Sequence, residues 1–294
     1  MQVHYSLENL PKIASPVVTV GSFDGVHVGH RVIIGRLNDL AEEAGGSSVL
    51  ITFHPHPRKV LYPETAGKDL KLINSQSEKI MLLEEAGLDH LVIIEFTRDF
   101  SKTSSDDFVE HYLVGRLHAH TIVVGFNHYF GHNKEGNFAS LYEARELFSF
   151  RVEEIPEQEI QNETVSSTKI RKALKEGNIQ RANAYLEHHY MIRAGMEMVP
   201  EQEEFYKHPC MHLSESDPLK LIPPVGAYAA SFLHNGAYSK GLIRIREGRL
   251  LLFPLETEES IRGGEVVIRF HKRMSGAGET DLPVLLEEVR ELIY

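Results

Sequence analysis

Several features are scarce in this chain of 294 residues, and each absence excludes a class of protein. A single cysteine excludes internal disulfide bonds. No apolar run approaches the roughly 20 residues that a membrane-spanning helix needs. Residues Met1 to Pro11 lack the basic and then apolar profile of a secretory signal, so we expect a cytosolic protein that does not bind membranes.

Basic residues are too few for non-specific binding to polyanions. Lys plus Arg number 31 and Asp plus Glu number 42, which gives a formal net charge of −11. This charge argues against nucleic acid as a partner, so any polyanionic ligand must be captured locally. Tryptophan is absent, but there are 17 histidines. Histidine binds phosphate and metals and exchanges protons near neutral pH.

The length is about twice the commonest domain size and predicts two domains. In the first part of the chain, short β-branched runs alternate with helical segments. The predicted strands are 17–20, 49–53, 91–94, 122–124 and 150–155. The predicted helices are 30–44, 75–85 and 104–117. The alternation predicts a doubly wound, Rossmann-like α/β domain with a parallel sheet, whose ligands bind at the carboxyl ends of the strands.

The pattern changes after about Ala194, where prolines and short alternating runs replace it. The runs are 227–233, 241–246, 249–255 and 265–270, followed by a helix at about 282–292. This predicts a smaller antiparallel β-barrel or sandwich with a C-terminal helix. We therefore divide the chain into domains 1–188 and 189–294.

The first predicted strand leads directly into a glycine-rich segment, residues 21–30, and then a helix. Its glycines let the backbone approach a ligand, and the helix start offers N–H groups with positive potential, so the segment predicts an anion site. The segment is neither a P-loop nor a dinucleotide fingerprint. His27 and His30 are three residues apart and can face the same way, which suits a phosphate that gains negative charge during a reaction.

Two other readings of this histidine pair stay open from the residues alone. The imidazoles are potential zinc ligands, although no third ligand at suitable spacing is evident. A glycine-rich turn with solvated histidines and no functional role is the other alternative.

Residues 21–30 resemble the signature of the prokaryotic FAD synthetases, Gly-x-Phe-Asp-Gly-x-His-x-Gly-His. The signature is a version of the His-x-Gly-His element of cytidylyltransferase-like nucleotidyltransferases. Three further segments match in the family's order. They are Thr-Phe-His-Pro-His-Pro at 52–57, Val-Val-Gly-Phe-Asn-His-Tyr-Phe-Gly at 123–131 and Val-Ser-Ser-Thr-Lys-Ile-Arg at 165–171. The resemblance covers residues 16–186.

The resemblance implies an FMN adenylyltransferase, in which ATP and FMN give FAD and pyrophosphate with Mg²⁺ as cofactor. The phosphate of FMN has a second pKa of about 6, so it is largely ionised at pH 7 and needs no general base. The protein then has to align two polyanions and stabilise charge at the α-phosphorus. The implied catalytic residues are His27, His30 and Arg171.

The resemblance also implies a set of substrate-binding residues, and we assign no residue as a metal ligand. The implied binding residues are Gly21, Phe23, Asp24, Gly25, Gly29, Phe53, His56, Pro57, Asn127, Ser166, Ser167, Thr168 and Lys169. The hydroxyls, Lys169 and Arg171 resemble the group that holds the β- and γ-phosphates. Asp24 is implied to help place the metal or the nucleotide.

Several of these residues also have a plain structural interpretation. Residues 166–168 form an ordinary N-cap pattern, 54–57 a stiff turn, and Asp24 a turn former. His128 and Tyr129 stand where the family commonly has Phe and Arg or Thr, which leaves the FMN contacts open.

FAD synthetases of this type normally carry a C-terminal riboflavin kinase barrel, which residues 221–229 and 264–270 resemble. Cys210 and His212 replace the Thr and Asn that hold magnesium and phosphate in the kinase, and both are poor ligands for a hard cation. The kinase's glycine-rich loop is replaced by an acidic run at 199–204, and its catalytic glutamate by residues 249–252. We therefore expect a degenerate kinase domain with little or no riboflavin phosphorylation.

Three alternatives to this prediction differ in chemistry. The first alternative is a fully bifunctional riboflavin kinase/FAD synthetase. The second is a nucleotidyltransferase that acts on nicotinamide mononucleotide, phosphopantetheine or glycerol phosphate. The third is a non-catalytic flavin-binding regulator. The Phe-Asp-Gly at 23–25 favours flavin. The histidine pair together with the hydroxyl and arginine segment favours catalysis.

Overall fold

The computed structural model describes residues 1–126, 128–157, 159–160, 163–198, 210–215, 217–256, 263–274 and 282–292. The chain forms two compact units. The first contains residues 1–70 and 79–165, and the second contains residues 71–78 and 166–294. The division into an adenylyltransferase domain and a kinase-like domain at residue 188 concerns function rather than compactness, and it stays a prediction.

The first unit is built on a sheet of six parallel strands. They are β1 (Gln2–His4), β2 (Val17–Val20), β3 (Ser48–His54), β4 (His90–Glu95), β5 (Thr121–Gly125) and β6 (Arg151–Ile155). All neighbouring strands run parallel in the order β1-β4-β3-β2-β5-β6. The predicted α/β fold is confirmed, with all five predicted strands present. The three-residue β1 was missed because it has no apolar run.

Helices follow the strands as the sequence predicts. They are α1 (Val28–Glu43), α2 (Pro57–Leu61), α3 (Gln76–Glu85), α4 (Ser105–Asp107) with its π-helical continuation Phe108–Val114, and α5 (Phe138–Phe148). The expected capping box at α3 is present, since Ser75 N–H donates to Glu78 Oε2 at 2.9 Å and Glu78 N–H donates to Ser75 Oγ at 3.3 Å. The predicted helix 104–117 differs from expectation, because only its first turn is α-helical.

The order of the strands creates a switch point in the sheet. From β2 the chain passes to β3 and β4 on one side, and then returns to form β5 and β6 on the other side. Crossover connections leave from opposite faces at such a point, so a crevice opens between the carboxyl ends of β2 and β5. The topology therefore places a ligand site beside Val20 and Gly125.

The second unit begins with two helices and continues as a closed antiparallel barrel. A short hairpin, β7 (Glu159–Ile160) and β8 (Glu163–Thr164), precedes α6 (Ser167–Lys175) and α7 (Ile179–Leu186). The barrel strands are β9 (Tyr190–Met198), β10 (Met211–Glu215), β11 (Gly226–His234), β12 (Ala237–Arg246), β13 (Arg249–Pro254) and β14 (Gly263–Arg273), followed by α8 (Leu282–Leu292). Their order is β10-β13-β12-β11-β14-β9.

The four predicted barrel strands and the final helix are confirmed, whereas β9 and β10 were not predicted. Turn chemistry explains the success at the β11–β12 hairpin. Asn235 and Gly236 both have positive φ, 48° and 82°, as a two-residue turn of this type requires. The strand β9 is harder to recognise from the sequence because Gly195, a residue that is unfavourable in strands, lies within it.

A buried ion pair holds residues 71–78 within the second unit. Lys220 Nζ donates to Glu78 Oε2 and to the carbonyl oxygens of Ile73 and Met191, each at 2.6 Å. The side chains of Lys220 and Glu78 are 0% and 1% exposed. Glu78 Oε1 accepts a further bond from Arg193 N–H at 2.8 Å. Because both charges are paired and hydrogen-bonded, their burial is tolerated.

We expect Lys220→Met to lower the free energy of unfolding by about 3–5 kcal/mol, because it leaves the Glu78 carboxylate buried without its cation. Adding Glu78→Gln to this variant removes the unpaired charge and should restore part of the loss. Urea unfolding followed by circular dichroism measures both. A single variant within about 1 kcal/mol of the wild type would contradict the role of this pair.

Candidate active site

A cavity of about 240 Å³ lies in the first unit at the switch point of the sheet. Strand ends, the start of α1 and the loop after β5 surround it. Its lining includes Thr19, Val20, Phe23, His27, Gly29, His30, Gly125, Phe126, His128, Ile155 and Val165. The cavity thus brings together His27 and His30 with other residues of the segments at 21–30 and 123–131.

The loop between β2 and α1 has an irregular backbone. Phe23, Gly25 and Val26 have φ values of 46°, 100° and 42°, in the region that L-residues rarely adopt. Gly21 is required for a different reason, since a Cβ there would lie 2.9 Å from the ring of Phe23. Phe23 and Val26 are only 2% and 0% exposed, so burial of their side chains holds this unusual backbone in place.

Three rings form a stack at the cavity wall. The centroids of His27 and His30 are 3.7 Å apart with an interplanar angle of 18°, and those of Phe23 and His30 are 4.4 Å apart at 27°. Contact with Phe23 and His27 restricts rotation of the His30 ring. The two imidazoles therefore face the cavity with defined orientations.

The electrostatics of the stack favour an uncharged His30. Burial, together with the nearby charges of His27 and Lys79, lowers the pKa of His30 well below its usual value. The imidazole is therefore neutral at pH 7, and it can offer a hydrogen bond but not a full positive charge.

The beginning of α1 adds positive potential beside the rings. His27 is the N-cap residue of this 16-residue helix, and its side chain makes no capping hydrogen bond. No acidic residue lies in the first turn. The partial positive charge of the helix N-terminus is thus available to an anion.

A lysine that the sequence analysis did not single out lies beneath the same loop. Lys79 Nζ donates to the carbonyl oxygen of Ser22 at 2.8 Å and lies 3.5 Å from Thr52 Oγ1. Burial lowers the pKa of Lys79 to about 8, against the opposing effect of the Asp24 carboxylate. Asp24 is itself 1% exposed, and its carboxylate interacts electrostatically with Lys79.

A signal for this lysine is present in the sequence. Lys79, Leu82 and Leu83 follow the i, i+3, i+4 spacing of one helix face, and all three are buried. A lysine at a position where the spacing calls for an apolar residue indicates a partner in the interior.

The segment after β3 is placed away from the lining of this cavity. Phe53 packs against Phe96 and Phe100, with centroids 5.4 Å and 5.8 Å apart. His56 is the N-cap of α2, where its Nδ1 accepts a bond from Arg58 N–H at 3.2 Å, and Pro57 is the first helical residue. The stiff turn is therefore present, whereas a role in substrate binding stays a prediction.

The loop after β5 reaches the cavity through its first residues. Asn127, a predicted binding residue, lies outside the described residues. Gly125, Phe126 and His128 line the cavity, and Phe126 is 51% exposed. Burial lowers the pKa of His128 to about 4, so this imidazole is also neutral at pH 7.

The segment 166–171 belongs to the second unit. Ser166 is the N-cap of α6, where its Oγ accepts a bond from Lys169 N–H at 3.4 Å, so the N-cap interpretation holds. Ser167, Thr168 and Lys169 follow in the first turn of the helix. Arg171 is 9% exposed, and its Nε donates to the carbonyl oxygen of Lys71 at 3.0 Å. The backbone of residue 71 thus helps to orient the guanidinium.

Two other features of the first unit argue for the chosen cavity. Among the described residues, no three His, Cys, Asp or Glu side chains are grouped to hold a metal ion, which gives no support to a zinc site at His27 and His30.

A larger cavity of about 680 Å³ lies at the amino ends of β5 and β6, but Arg36 in its wall is already paired with Glu153 at 2.6 Å.

The fold and the site define a nucleotidyltransferase-type α/β domain in a chain that also carries an antiparallel barrel. The family model described as FAD synthetase matches residues 11–169, more than half of the chain. The chain therefore belongs to the FAD synthetase family and is a nucleotidyltransferase. The resemblance seen in the four sequence motifs is confirmed.

Relatives and solved structures extend this similarity over both units. A bifunctional riboflavin kinase/FMN adenylyltransferase of Listeria monocytogenes is 30% identical over 260 residues, 88% of this chain and 80% of the relative. A protein of the same description from Bacillus subtilis is 30% identical over 79% of this chain and 72% of its own length. A structure described as a macrolide-efflux protein from Streptococcus pneumoniae shares the fold, with a TM-score of 0.82, 21% identity and coverage of 98% and 95%.

None of the helices in the described ranges combines the length and the apolar character that crossing a membrane would require. The cytosolic location expected from the sequence stays a prediction.

We expect His128→Phe to make the protein less sensitive to acid. An unfolded histidine binds a proton below about pH 6.5, whereas folded His128 resists protonation until about pH 4, so stability is lost as the pH falls between these values. Between pH 7 and pH 5 the wild type should lose about 2 kcal/mol more than the variant. Urea unfolding at the two pH values measures the difference.

His111→Gln serves as the matched control, because His111 lies in the same unit with a side chain that is 62% exposed. This variant should keep the pH dependence of the wild type. An equal loss of stability in wild type and His128→Phe would contradict the burial of His128.

Proposed function

We propose that this protein transfers AMP from ATP to FMN, giving FAD and pyrophosphate. The observation that carries the proposal is the stacked pair His27 and His30 at the start of α1, in a cavity at the switch point of the sheet. This pair lies within the residues that match the FAD synthetase family. The names of the relatives, which include FMN adenylyltransferase, support the same substrates.

In the proposed reaction, a phosphate oxygen of FMN attacks the α-phosphorus of ATP. The new bond joins FMN to AMP, the bond between the α- and β-phosphates breaks, and pyrophosphate leaves with the electron pair. The FMN phosphate is largely ionised at pH 7, so no residue has to remove a proton. The task of the protein is alignment and charge stabilisation.

His27 and His30 are proposed to donate hydrogen bonds to phosphate oxygens where charge develops. A neutral His30 suits this role, because a neutral imidazole offers one N–H donor and does not release that proton to the phosphate. The start of α1 supplies positive potential next to the rings. Gly21, Phe23, Asp24, Gly25 and Gly29 shape the loop that holds these donors.

The β- and γ-phosphates are proposed to bind the start of α6. Ser166, Ser167, Thr168 and Lys169 offer hydroxyl, ammonium and backbone N–H donors, and Ser166 directly follows Val165 of the cavity lining in the chain. The guanidinium of Arg171 suits the leaving pyrophosphate because a planar donor pair matches phosphate oxygens.

The flavin and the adenine are proposed to contact the loops after β3 and β5. Phe53 lies near the end of β3, His56 and Pro57 follow that strand, and Asn127 belongs to the segment after β5. The aromatic side chain of Phe126 in the cavity lining supports a planar ring as occupant of this region.

Mg²⁺ is proposed to enter with ATP. The described residues offer no cluster of acidic or histidine ligands, and the charge of Asp24 faces Lys79. Phosphate oxygens and water then supply the ligands, as is common for Mg²⁺, and no protein side chain is assigned to the ion. The bound ion would neutralise charge on the leaving pyrophosphate.

We infer further that the barrel has lost riboflavin kinase activity. Cys210 is 5% exposed and packs with Ala227, Leu251 and Met274 in an apolar cluster. Leu250, Leu251 and Leu252, where the kinase glutamate is expected, are also buried. Apolar side chains in the interior supply neither a magnesium ligand nor a catalytic base. The acidic run at 199–204 lies outside the described residues.

A second candidate function is a fully bifunctional enzyme. The relatives are described as bifunctional riboflavin kinase/FMN adenylyltransferases, and the barrel is intact as a fold. The two candidates differ only in whether riboflavin is phosphorylated.

Incubation with ATP, Mg²⁺ and either FMN or riboflavin separates these candidates. We expect FAD from FMN and neither FMN nor FAD from riboflavin, because Cys210 and Leu250 to Leu252 are buried where the kinase groups are expected. Chromatography of the flavins is the measurement. Formation of FMN from riboflavin would establish the bifunctional enzyme instead.

We expect His30→Ala to reduce the turnover of FMN to FAD at least about 100-fold, because loss of one charge-stabilising donor typically has this effect. Steady-state assays and thermal unfolding test activity and folding in parallel. His111→Ala removes an exposed imidazole of the same unit and should leave turnover unchanged. An unaltered turnover number in His30→Ala would remove this residue from the mechanism.

A further inference from the structure

The buried ammonium group of Lys79 has no part in the reaction as described so far. Lys79 lies on α3 and is 7% exposed. Its Nζ donates to the Ser22 carbonyl oxygen at 2.8 Å and lies 3.5 Å from the hydroxyl oxygen of Thr52 on β3. Thr52 Oγ1 donates to the same carbonyl oxygen at 3.3 Å. Two donors from different elements thus converge on one backbone atom of the loop.

That backbone atom lies directly before the irregular part of the loop. Ser22 precedes Phe23, whose φ of 46° sets the direction of its ring. The Phe23 ring stacks on His30, and His30 stacks on His27. A fixed Ser22 carbonyl therefore restrains Phe23, and through it the two imidazoles. Lys79 acts on the histidines through this series of contacts.

The charged surroundings of Lys79 are asymmetric. The loop contributes the Asp24 carboxylate and α1 contributes the imidazole of His30, while β3 contributes the uncharged hydroxyl of Thr52. Burial favours the neutral amine and Asp24 favours the ammonium form, with the result that the pKa of Lys79 is lowered to about 8. The charge of Lys79 in turn helps to keep His30 neutral.

We propose that Lys79 is a positioning residue for adenylyl transfer: its buried ammonium group holds the Ser22 carbonyl so that His27 and His30 keep the orientation in which they meet the phosphates of ATP. This inference rests on the proposed FMN adenylyltransferase function. Lys79 is not among the residues that line the cavity, so its proposed effect is on the geometry of the donors. A misplacement of about 1 Å in such groups is enough to cost about 100-fold in rate.

Two consequences follow for activity. Lys79→Met removes both the charge and the hydrogen bond to Ser22, so turnover should fall about 10- to 100-fold. In the wild type, kcat/KM for ATP should decrease above about pH 8, where the free enzyme loses the proton of Lys79. The second phosphate pKa of FMN, about 6, lies well below this range, so ionisation of the FMN phosphate does not account for such a decrease.

The experiment measures kcat/KM for ATP with FMN between pH 6 and pH 10 in four proteins. They are the wild type, Lys79→Met, Asp24→Asn and the control Lys102→Met. Asp24→Asn keeps the lysine but removes the charge that supports its ammonium form, so the alkaline decrease should move to lower pH. Lys102 also pairs with an aspartate, Asp99 at 2.6 Å, but its side chain is 69% exposed, so its variant should behave as the wild type.

The expected result is an alkaline decrease near pH 8 in the wild type and the control, at lower pH in Asp24→Asn, and none in a weakly active Lys79→Met. Turnover and a pH profile in Lys79→Met that equal those of the wild type would overturn the proposal. If Lys79→Met does not fold, an unshifted decrease in Asp24→Asn overturns it. Absence of FAD formation by the wild type at every pH would instead overturn the proposed function.

Discussion

The stack of Phe23, His30 and His27 is the interaction on which the candidate site depends. It forms only because the loop before α1 has a left-handed backbone at Phe23 and Val26. Such conformations cost about 1–3 kcal/mol each. Complete burial of a large apolar side chain contributes about 1.5–3 kcal/mol, so the burial of Phe23 and Val26 offsets the cost. The site is therefore tied to the core of the first unit.

The positive potential of the site does not depend on a charge at His30. The chain carries a formal net charge of −11, yet its proposed substrates are polyanions. Positive potential is concentrated at the start of α1 and at the buried ammonium of Lys79. Burial keeps His30 neutral, so it supplies a hydrogen bond with a fixed direction. Local capture of anions, expected from the overall charge, is consistent with this arrangement.

The proposed loss of kinase activity concerns a few polar positions on which the barrel fold does not depend. Its six strands close in register, and Cys210, Leu251 and Phe253 pack into its apolar cluster. The alternation of inward and outward side chains maintains the barrel, whereas metal binding depends on a few polar residues. The proposed replacements are therefore compatible with the closed barrel and its packed cluster. Fold similarity to kinase-bearing relatives therefore does not by itself carry the kinase reaction.

The sequence by itself determined the α/β and antiparallel classes, most of the strands, and the glycine-rich segment with His27 and His30. These features depend on local periodicity, turn chemistry and motif spacing, which a single stretch of chain contains. Only the tertiary structure decided that Lys79 meets Ser22, 57 residues away, that the imidazole of His128 is desolvated, and that Lys220 pairs with Glu78. Such contacts depend on which elements the topology brings side by side. No local sequence pattern encodes contacts between residues that are far apart in the chain.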